Sequence, residues 1–420
     1  MDTEFSTTDT ATVSYVGRKK PLLRLALWTG LLTFITVGFY RFWARTRVRK
    51  YFWSAVTPDG TPLEYNGTGL EKFLGFLIAV AVLVVYLGII QILLLFFGYS
   101  LFTQAETFAG EVVQTLMFYG VALVTLPLIY YAQYRARRYI LSRTRWRGIR
   151  FGAEPAAWGY VLLALKNLLV TVFTLGILLP RQTFNLEKYR TDRSYFGDAQ
   201  FHQGGDWRML RPAMKQIYIA VGIMALAVVV FFSKGLPDFE QINHGDMEGM
   251  GVAATGAILF QLGVSWFYVG LAIYGVASWR IMANHKTLNG TVMFTSHVDT
   301  SDVIMAYVFG GLLAFIFALI AALIVGVAFG FIGSFIPIDT YEFDLDNAGP
   351  IIGFIAGYVA FLIFFGAVVL VAIRQPILRN YASSVVIHNA SALNEIRQRA
   401  GDDFVEAEGF ADALDVGAAF

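Results

Sequence analysis

The sequence predicts an all-α polytopic membrane protein, with six to eight hydrophobic helical segments in tandem repeats and short cytoplasmic β-hairpins between helix pairs. Three observations lead there. Hydrophobic residues make up 57% of the 420 residues and charged residues 15%, against about 45–50% and about 25% in ordinary soluble domains, and the mean hydropathy is +0.59. Six apolar stretches are long enough to cross a hydrocarbon core, which takes about 20 helical residues. Charge alternates in sign between successive loops, although the formal net charge is only +2. The lack of cysteine excludes a disulfide-stapled secreted domain and a cysteine-ligated metal centre. The apolar content excludes a disordered chain.

Residues 1–14, with Asp2, Glu4 and Asp9 among Thr and Ser, lack the basic start and apolar core of a secretory signal and read as a disordered tail. A first membrane repeat is expected over 15–150, with a short segment at 22–43 and helices at 73–98 and 112–131. A second is expected over 151–293, with a short segment at 158–180 and helices at 213–232 and 252–275. A third helix pair, 303–331 and 350–373, falls within 294–395. An acidic tail occupies 396–420, where no Lys or Arg follows Asp402. The interruptions in the six stretches are tolerable ones: Gln91, Pro127, Gln261, and Lys215 near an end where it can snorkel.

The loops after the first, third and fifth stretches are acidic, carrying Glu106 and Glu111, then Asp238, Glu240, Asp246 and Glu248, then Asp339, Glu342, Asp344 and Asp346. The opposite side holds Arg41, Arg45, Arg47, Arg49 and Lys50, the run from Arg135 to Arg150, and Arg181, Lys188, Arg190 and Arg193. By the positive-inside rule the basic loops and both termini are cytoplasmic, and the six helices form three hairpins. The short segments do not fit that count. The uncharged run from Leu25 to Tyr40 is 16 residues, about 24 Å of helix against a core of about 30 Å. Basic residues flank both segments on both sides, so they are expected to re-enter or lie in the interface. The alternative is that both span, giving eight crossings.

The two short segments also match each other. Thr36, Gly38 and Tyr51 recur as Thr174, Gly176 and Tyr189 at an offset of 138 residues, which reads as an internal repeat. A second unit is a glycine in a polar turn followed by an aromatic: Gly60 and Tyr65, Gly148 and Phe151, Gly197 and Phe201, Gly290 and Phe294. Asn289-Gly290, flanked by β-favouring residues, suits a type I′ hairpin turn. A lone hairpin is marginal in water, so the copies are expected to pair into a small cytoplasmic sheet. A fifth copy, around Val385 to Ile387, is too degraded to count.

The string LLTFITVGFYRFWARTRVRKYFWSAVTPDGTPLEYNGTG, with its Thr-x-Gly, Phe-Trp-Ala, basic helix and Gly-Thr-Gly, resembles the YjgN family of bacterial inner-membrane proteins. The resemblance covers most of the chain, is strongest from Leu22 to Phe76, and weakens in the second repeat, where Pro180-Arg181-Gln182 replaces Phe42-Trp43-Ala44. It implies a multipass location in the bacterial inner membrane and supplies no activity, cofactor or catalytic residue.

Little chemistry is visible. His202, His244, His285, His297 and His388 have no helical metal spacing; no phosphate loop or nucleophile elbow occurs; no Asp or Glu lies within the six stretches to run a proton relay. No catalytic residue, metal or cofactor is expected. The candidates for a pathway or a helix break are Thr36, Gly38, Thr174, Gly176, Lys166 and Asn167, since glycine in a short segment lets a helix break and expose backbone dipoles; close helix packing is the plainer use. Arg24 and Lys166 lie near enough to a cytoplasmic end to snorkel. Arg41, Arg45 and Arg49 fall on one helical face beside Trp43, Phe52 and Trp53, and with Arg135 and Arg138 are candidates to contact anionic lipid headgroups. Abutting a membrane segment, they suit lipid better than nucleic acid. The leading function is a channel or transporter for an unidentified small solute or lipid. The alternative is a non-transporting organiser or sensor that binds anionic lipid, or a protein partner of unknown identity, through its basic hairpins.

Overall fold

The computed structural model describes residues 9–100, 107–233, 247–333 and 348–399. Asp2 and Glu4, the acidic positions 106, 238, 240, 246 and 339–346, and the tail beyond residue 399 lie outside the described residues. Alternation of Ala11, Val13 and Tyr15 with Thr10, Thr12 and Ser14 puts the larger apolar groups on one face, and this stretch is strand β1 (Thr10–Tyr15). It is therefore ordered, contrary to the expectation for 1–14. The helices α1 (Lys19–Ile35) and α2 (Arg41–Ala55) follow, then β2 (Val56–Pro58), β3 (Glu64–Tyr65), the long α3 (Gly69–Phe96) and α4 (Phe108–Ser142), and β4 (Thr144–Trp146) and β5 (Ile149–Ala153). The second half continues with α5 (Ala157–Phe173), α6 (Leu179–Thr191), β6 (Ser194–Phe196), β7 (Ala199–Gln203), a 3-10 stretch at Trp207–Met214, α7 (Lys215–Phe232), α8 (Met247–Ala283), β8 (Lys286–Leu288) and β9 (Val292–Ser296). Last come α9 (Thr300–Gly333), α10 (Ala348–Val369), a π-helical turn at Leu370–Arg374, α11 (Gln375–Ser383) and β10 (Val385–His388).

The ten strands form one antiparallel sheet in the order β2-β1-β10-β9-β8-β7-β6-β5-β4-β3. The fold class is thus a helical membrane protein built on a sheet rather than an all-α one with separate hairpins. The segment around Val385 to Ile387, set aside in the sequence as degraded, is β10 and pairs with β1, Ala11 opposite Ile387. The two outermost strands are consecutive in the chain, and Leu63 N–H donates to Val56 O at 3.0 Å across their turn. The sheet therefore curls back on itself.

Each pair of strands joined by a helical hairpin is also paired in the sheet: β1 with β2, β3 with β4, β5 with β6, β7 with β8, β9 with β10. Every helical hairpin thus returns to the strand beside the one it left. For the short segments this removes the eight-crossing alternative, because Val16 N–H donates to Ala55 O at 2.8 Å and Glu154 N–H to Arg193 O at 3.0 Å, bringing both ends of each segment together. Six helices remain long and apolar enough to cross a membrane. α4 has 35 residues, about 52 Å, so it runs well past a hydrocarbon core and carries its arginines down to the sheet.

Residues opposite one another in an antiparallel sheet share a face, and the pairs Phe151 with Phe196, Phe201 with Leu288, and Phe294 with Ile387 turn inward together. With Trp146, Val292 and Val13 they fill the curled sheet. Leu393, from the 3-10 turn Ala390–Glu395, packs into the same core. The segment carrying it crosses the tight-turn end: Asp198 N–H donates to Arg397 O at 2.9 Å, Arg150 N–H to Gln398 Oε1 at 2.8 Å, and Ser391 N–H to Asp9 Oδ1 at 2.8 Å. Leu393→Ala leaves a cavity in this core and is expected to lower stability by about 3 kcal/mol, read as a lower midpoint of thermal unfolding in detergent; an unchanged midpoint would show that the C-terminal segment is not part of the core.

Candidate functional site

The Thr-x-Gly segments build sharp reversals. Thr36 ends α1, its hydroxyl donating to Leu32 O at 2.8 Å and accepting Tyr40 N–H at 2.9 Å. Val37 and Gly38 then take φ of 51° and 89°. Thr174 ends α5 in the same way, donating to Val170 O at 2.8 Å and accepting Leu178 N–H at 3.3 Å, with Leu175 and Gly176 at φ 50° and 85°. Left-handed backbone suits glycine at the second position. The hydroxyl serves the carbonyl and N–H groups that the ending helix leaves without partners. The tips are apolar and open: Val37 is 88% exposed and Leu175 92%. At the base of each hairpin, Tyr51 Oη donates to Arg18 O at 2.5 Å, and Tyr189 Oη to Ala156 O at 3.0 Å. The tyrosine that follows each glycine closes the hairpin from the sheet side.

Between α1, α2 and α10 lies a cavity of about 1040 Å³. Ala26, Gly30 and Phe34 of α1 face Leu362, Gly366 and Leu370 across it, and Val37 and Gly38 line its far end. Arg45 and Arg49 of α2 and Arg374 from the π-helical turn add cationic groups to its wall. Arg49 Nη1 also donates to Tyr65 Oη of β3 at 3.2 Å, which holds Arg49 beside the sheet. From Val359 to Arg374 the wall runs about 22 Å, so the space is long and mostly apolar, with three arginines along it. A π-helical turn widens the helix and is frequent at functional sites; here it carries both Leu370 and Arg374 into the wall.

Of the sequence candidates, the fold brings Gly38, Arg45 and Arg49 to this cavity, and Thr36 buttresses its far end. The others lie elsewhere. Arg41 stacks over Phe42 and Phe76. Arg135 lies over Tyr131, and Arg138 Nε donates to Ala153 O at 3.0 Å. Asn167 is buried between α5 and α6, donating to Leu163 O and accepting Asn185 Nδ2 at 2.9 Å. Lys166 is exposed on the outer side of α5. Thr174 and Gly176 turn the second hairpin, away from the cavity. Among the described residues no group of three His, Asp or Glu side chains is placed to hold a metal ion.

Sequence reasoning missed two features. One is Arg374, which sits at the end of the sixth apolar stretch and looks like a topological charge. The other is Glu187, a lone carboxylate on α6 facing Lys286 Nζ at 2.6 Å, Arg190 at 2.8 Å and Arg137 at 3.9 Å. Burial alone would push its carboxyl up, but Lys286, Arg190 and Arg137 outweigh burial and hold it well below the ordinary carboxylate range.

A curled sheet from which six apolar helices and two short helical hairpins hang defines a multipass membrane protein. The chain belongs to the family described as "Bacterial protein of unknown function (DUF898)", whose model matches residues 10–319. It is also similar to the inner membrane protein YjgN of Salmonella typhimurium, 24% identical over 165 residues, a match covering 39% of this chain and 37% of that protein's length. The resemblance to the YjgN family holds on both comparisons. No solved structure matches. Arg45 and Arg49 fall within the family region, and Arg374 beyond it. Gly38→Ala is expected to destabilise by about 1 kcal/mol, and Gly38→Asn by less. A Cβ there meets nothing within 4 Å, so the cost is left-handed backbone alone; thermal unfolding of the two variants that ranks them the other way would refute this account of the turn.

Proposed function

We propose that this chain is a bacterial inner-membrane protein that holds an anionic lipid, with the acyl chain between α1, α2 and α10 and the headgroup against Arg45, Arg49 and Arg374. The observation that carries the reading is the lining of that cavity: mostly apolar, with Arg45, Arg49 and Arg374 on its wall. Apolar contact with an acyl chain follows from its walls, and each arginine near an anionic headgroup contributes about 1 kcal/mol. The inner membrane is supported by the name of the similar YjgN protein. A cytoplasmic sheet is supported by the basic residues at the returning ends of α2, α4 and α6. We read the chain as five strand–helical hairpin–strand units around one curled sheet, three hairpins crossing the membrane and two re-entering it; the shared turns at Thr36 and Thr174 support that repeat.

The lipid reading takes precedence over a solute channel for a physical reason. A channel wants helices packed around a polar lumen. Here the curled sheet is filled with apolar side chains, and at most 17% of any of the six apolar windows is buried within the chain. We assign no catalytic step.

Gly366 lines the cavity, and a Cβ there meets nothing within 4 Å. Gly366→Leu is therefore expected to fill the acyl path, leaving the unfolding midpoint unchanged while the protein loses co-purified anionic lipid by native mass spectrometry. The double variant Arg45→Gln, Arg374→Gln is expected to cut the preference for anionic over zwitterionic lipid by about thirtyfold. Wild-type retention of anionic lipid in both variants would sink the reading. Orientation has its own check: cysteines introduced at Glu64 and Gln200 are expected to resist an impermeant thiol reagent in intact cells, and labelling of either would place the sheet outside.

A further inference from the structure

Where α4, α6 and β8 meet, three cations share one carboxylate. Lys286 Nζ lies 2.6 Å from Glu187 Oε1, Arg190 Nη2 lies 2.8 Å from Oε2, and the Thr191 hydroxyl donates to Oε1 at 3.2 Å. These contacts occupy both carboxylate oxygens. Arg137 approaches Oε2 only to 3.9 Å, beyond hydrogen-bonding distance. The nearby charges do not balance the surplus. Asp192 is engaged by Lys188 at 2.9 Å and by Gln203 N–H at 2.7 Å, and lies 3.3 Å from His202 Nδ1. Arg193 adds a further positive charge, stacked over Tyr189, and Tyr160 presents its ring to Arg190. The group around Glu187 thus holds three positive charges against one negative.

Two details show where the excess points. The Nε groups of Arg137 and Arg190 are both enclosed and without a hydrogen-bond partner, although a buried N–H is costly to leave unmade. The Arg137 side chain keeps 35% of its surface and Arg190 30%, so part of each side chain stays open to solvent. Alternation along the strands places this cluster at the helix end of the curled sheet: Gln203 and Lys286 stand opposite each other, on the face that Phe201 and Leu288 turn into the core.

We propose that Arg137, Arg190 and Lys286 form a binding site for a phosphate-type oxyanion, separate from the lipid cavity. Planar guanidinium groups pair with tetrahedral oxyanions through two N–H donors each, and an anion on the open parts of Arg137 and Arg190 cancels the surplus charge. Glu187 holds the three cations together when the site is empty and competes with the anion when it fills. The chemistry is that of a phosphate monoester or inorganic phosphate, delivered either free in water or as a lipid headgroup.

The test is isothermal titration of the full chain in phosphatidylcholine nanodiscs with inorganic phosphate at constant ionic strength. Saturable binding is expected, about tenfold weaker in Arg137→Gln and tighter in Glu187→Gln, where the competing charge is gone. Arg374→Gln is expected to leave phosphate binding unchanged, which keeps this site distinct from the lipid reading. Soluble dihexanoyl phosphatidic acid is titrated in a second arm: competition with phosphate assigns the site to headgroups, and failure to compete assigns it to the free oxyanion. Should Glu187→Gln not fold, Arg137→Gln decides. No phosphate binding in the wild type, or binding that Arg137→Gln leaves unchanged, overturns the proposal.

Discussion

The rest of the structure hangs on the hydrogen bonds that let ten very short strands curl into one sheet. The strands have two to six residues, far too few for any one hairpin to persist in water. Joined edge to edge, they bury a shared aromatic core and leave almost no strand edge open to another chain. The closing contacts come from opposite ends of the sequence: β1 pairs with β10, while Leu63 and Val56 meet across a local turn. Every helical hairpin is then anchored at two adjacent strands. That anchoring sets where each hairpin leaves the sheet, and within one of them α7 and α8 also pack closely, Gly256 and Gly263 against Phe231 and Met224.

The long helices would be untenable in water. Residues such as Phe96, Ile92 and Val327 are well over half exposed, which is normal only where hydrocarbon is the solvent. At most 17% of any of their apolar windows is buried within the chain, so places where they approach another element are informative. The space between α1, α2 and α10 is one of them. It forms because a short hairpin, stopped by Thr36 and Gly38, stands beside a full-length helix. The difference in length leaves a mostly apolar wall with Arg45, Arg49 and Arg374 along it.

Charge follows the same architecture. The helices that return to the sheet bring basic residues to their C-terminal ends, as with Lys188 and Arg190 on α6 and Arg280 on α8, where the helix dipole favours them. Many are held by aromatic faces: Arg193 over Tyr189, Arg143 over Tyr139, Arg147 over Trp146. Arg147 also pairs with Asp59, tying two of the tight turns together. Some of these arginines are therefore structural, and charge alone did not tell them from Arg45 and Arg374, which line the cavity.

The sequence by itself determined what depends on neighbouring residues. Apolar runs of sufficient length specified six helices able to cross a membrane, because the thickness of hydrocarbon sets a helix length. Asn289-Gly290 specified a tight turn through left-handed backbone at both positions. The Thr36/Gly38/Tyr51 and Thr174/Gly176/Tyr189 spacings marked two matching hairpins, each residue acting on backbone of its own hairpin. The tertiary structure alone decided what joins distant residues. β1 was missed because TATVSY is too short to announce a strand until its partner, more than 370 positions away, supplies the other half of its hydrogen bonds. Arg374 and Arg45 meet only because the sheet brings the first and last hairpins side by side. Glu187, Arg137 and Lys286 form one cluster only because strand register places β8 beneath α6. Periodicity and charge are local properties of a chain, whereas ring closure and register depend on contacts across its whole length.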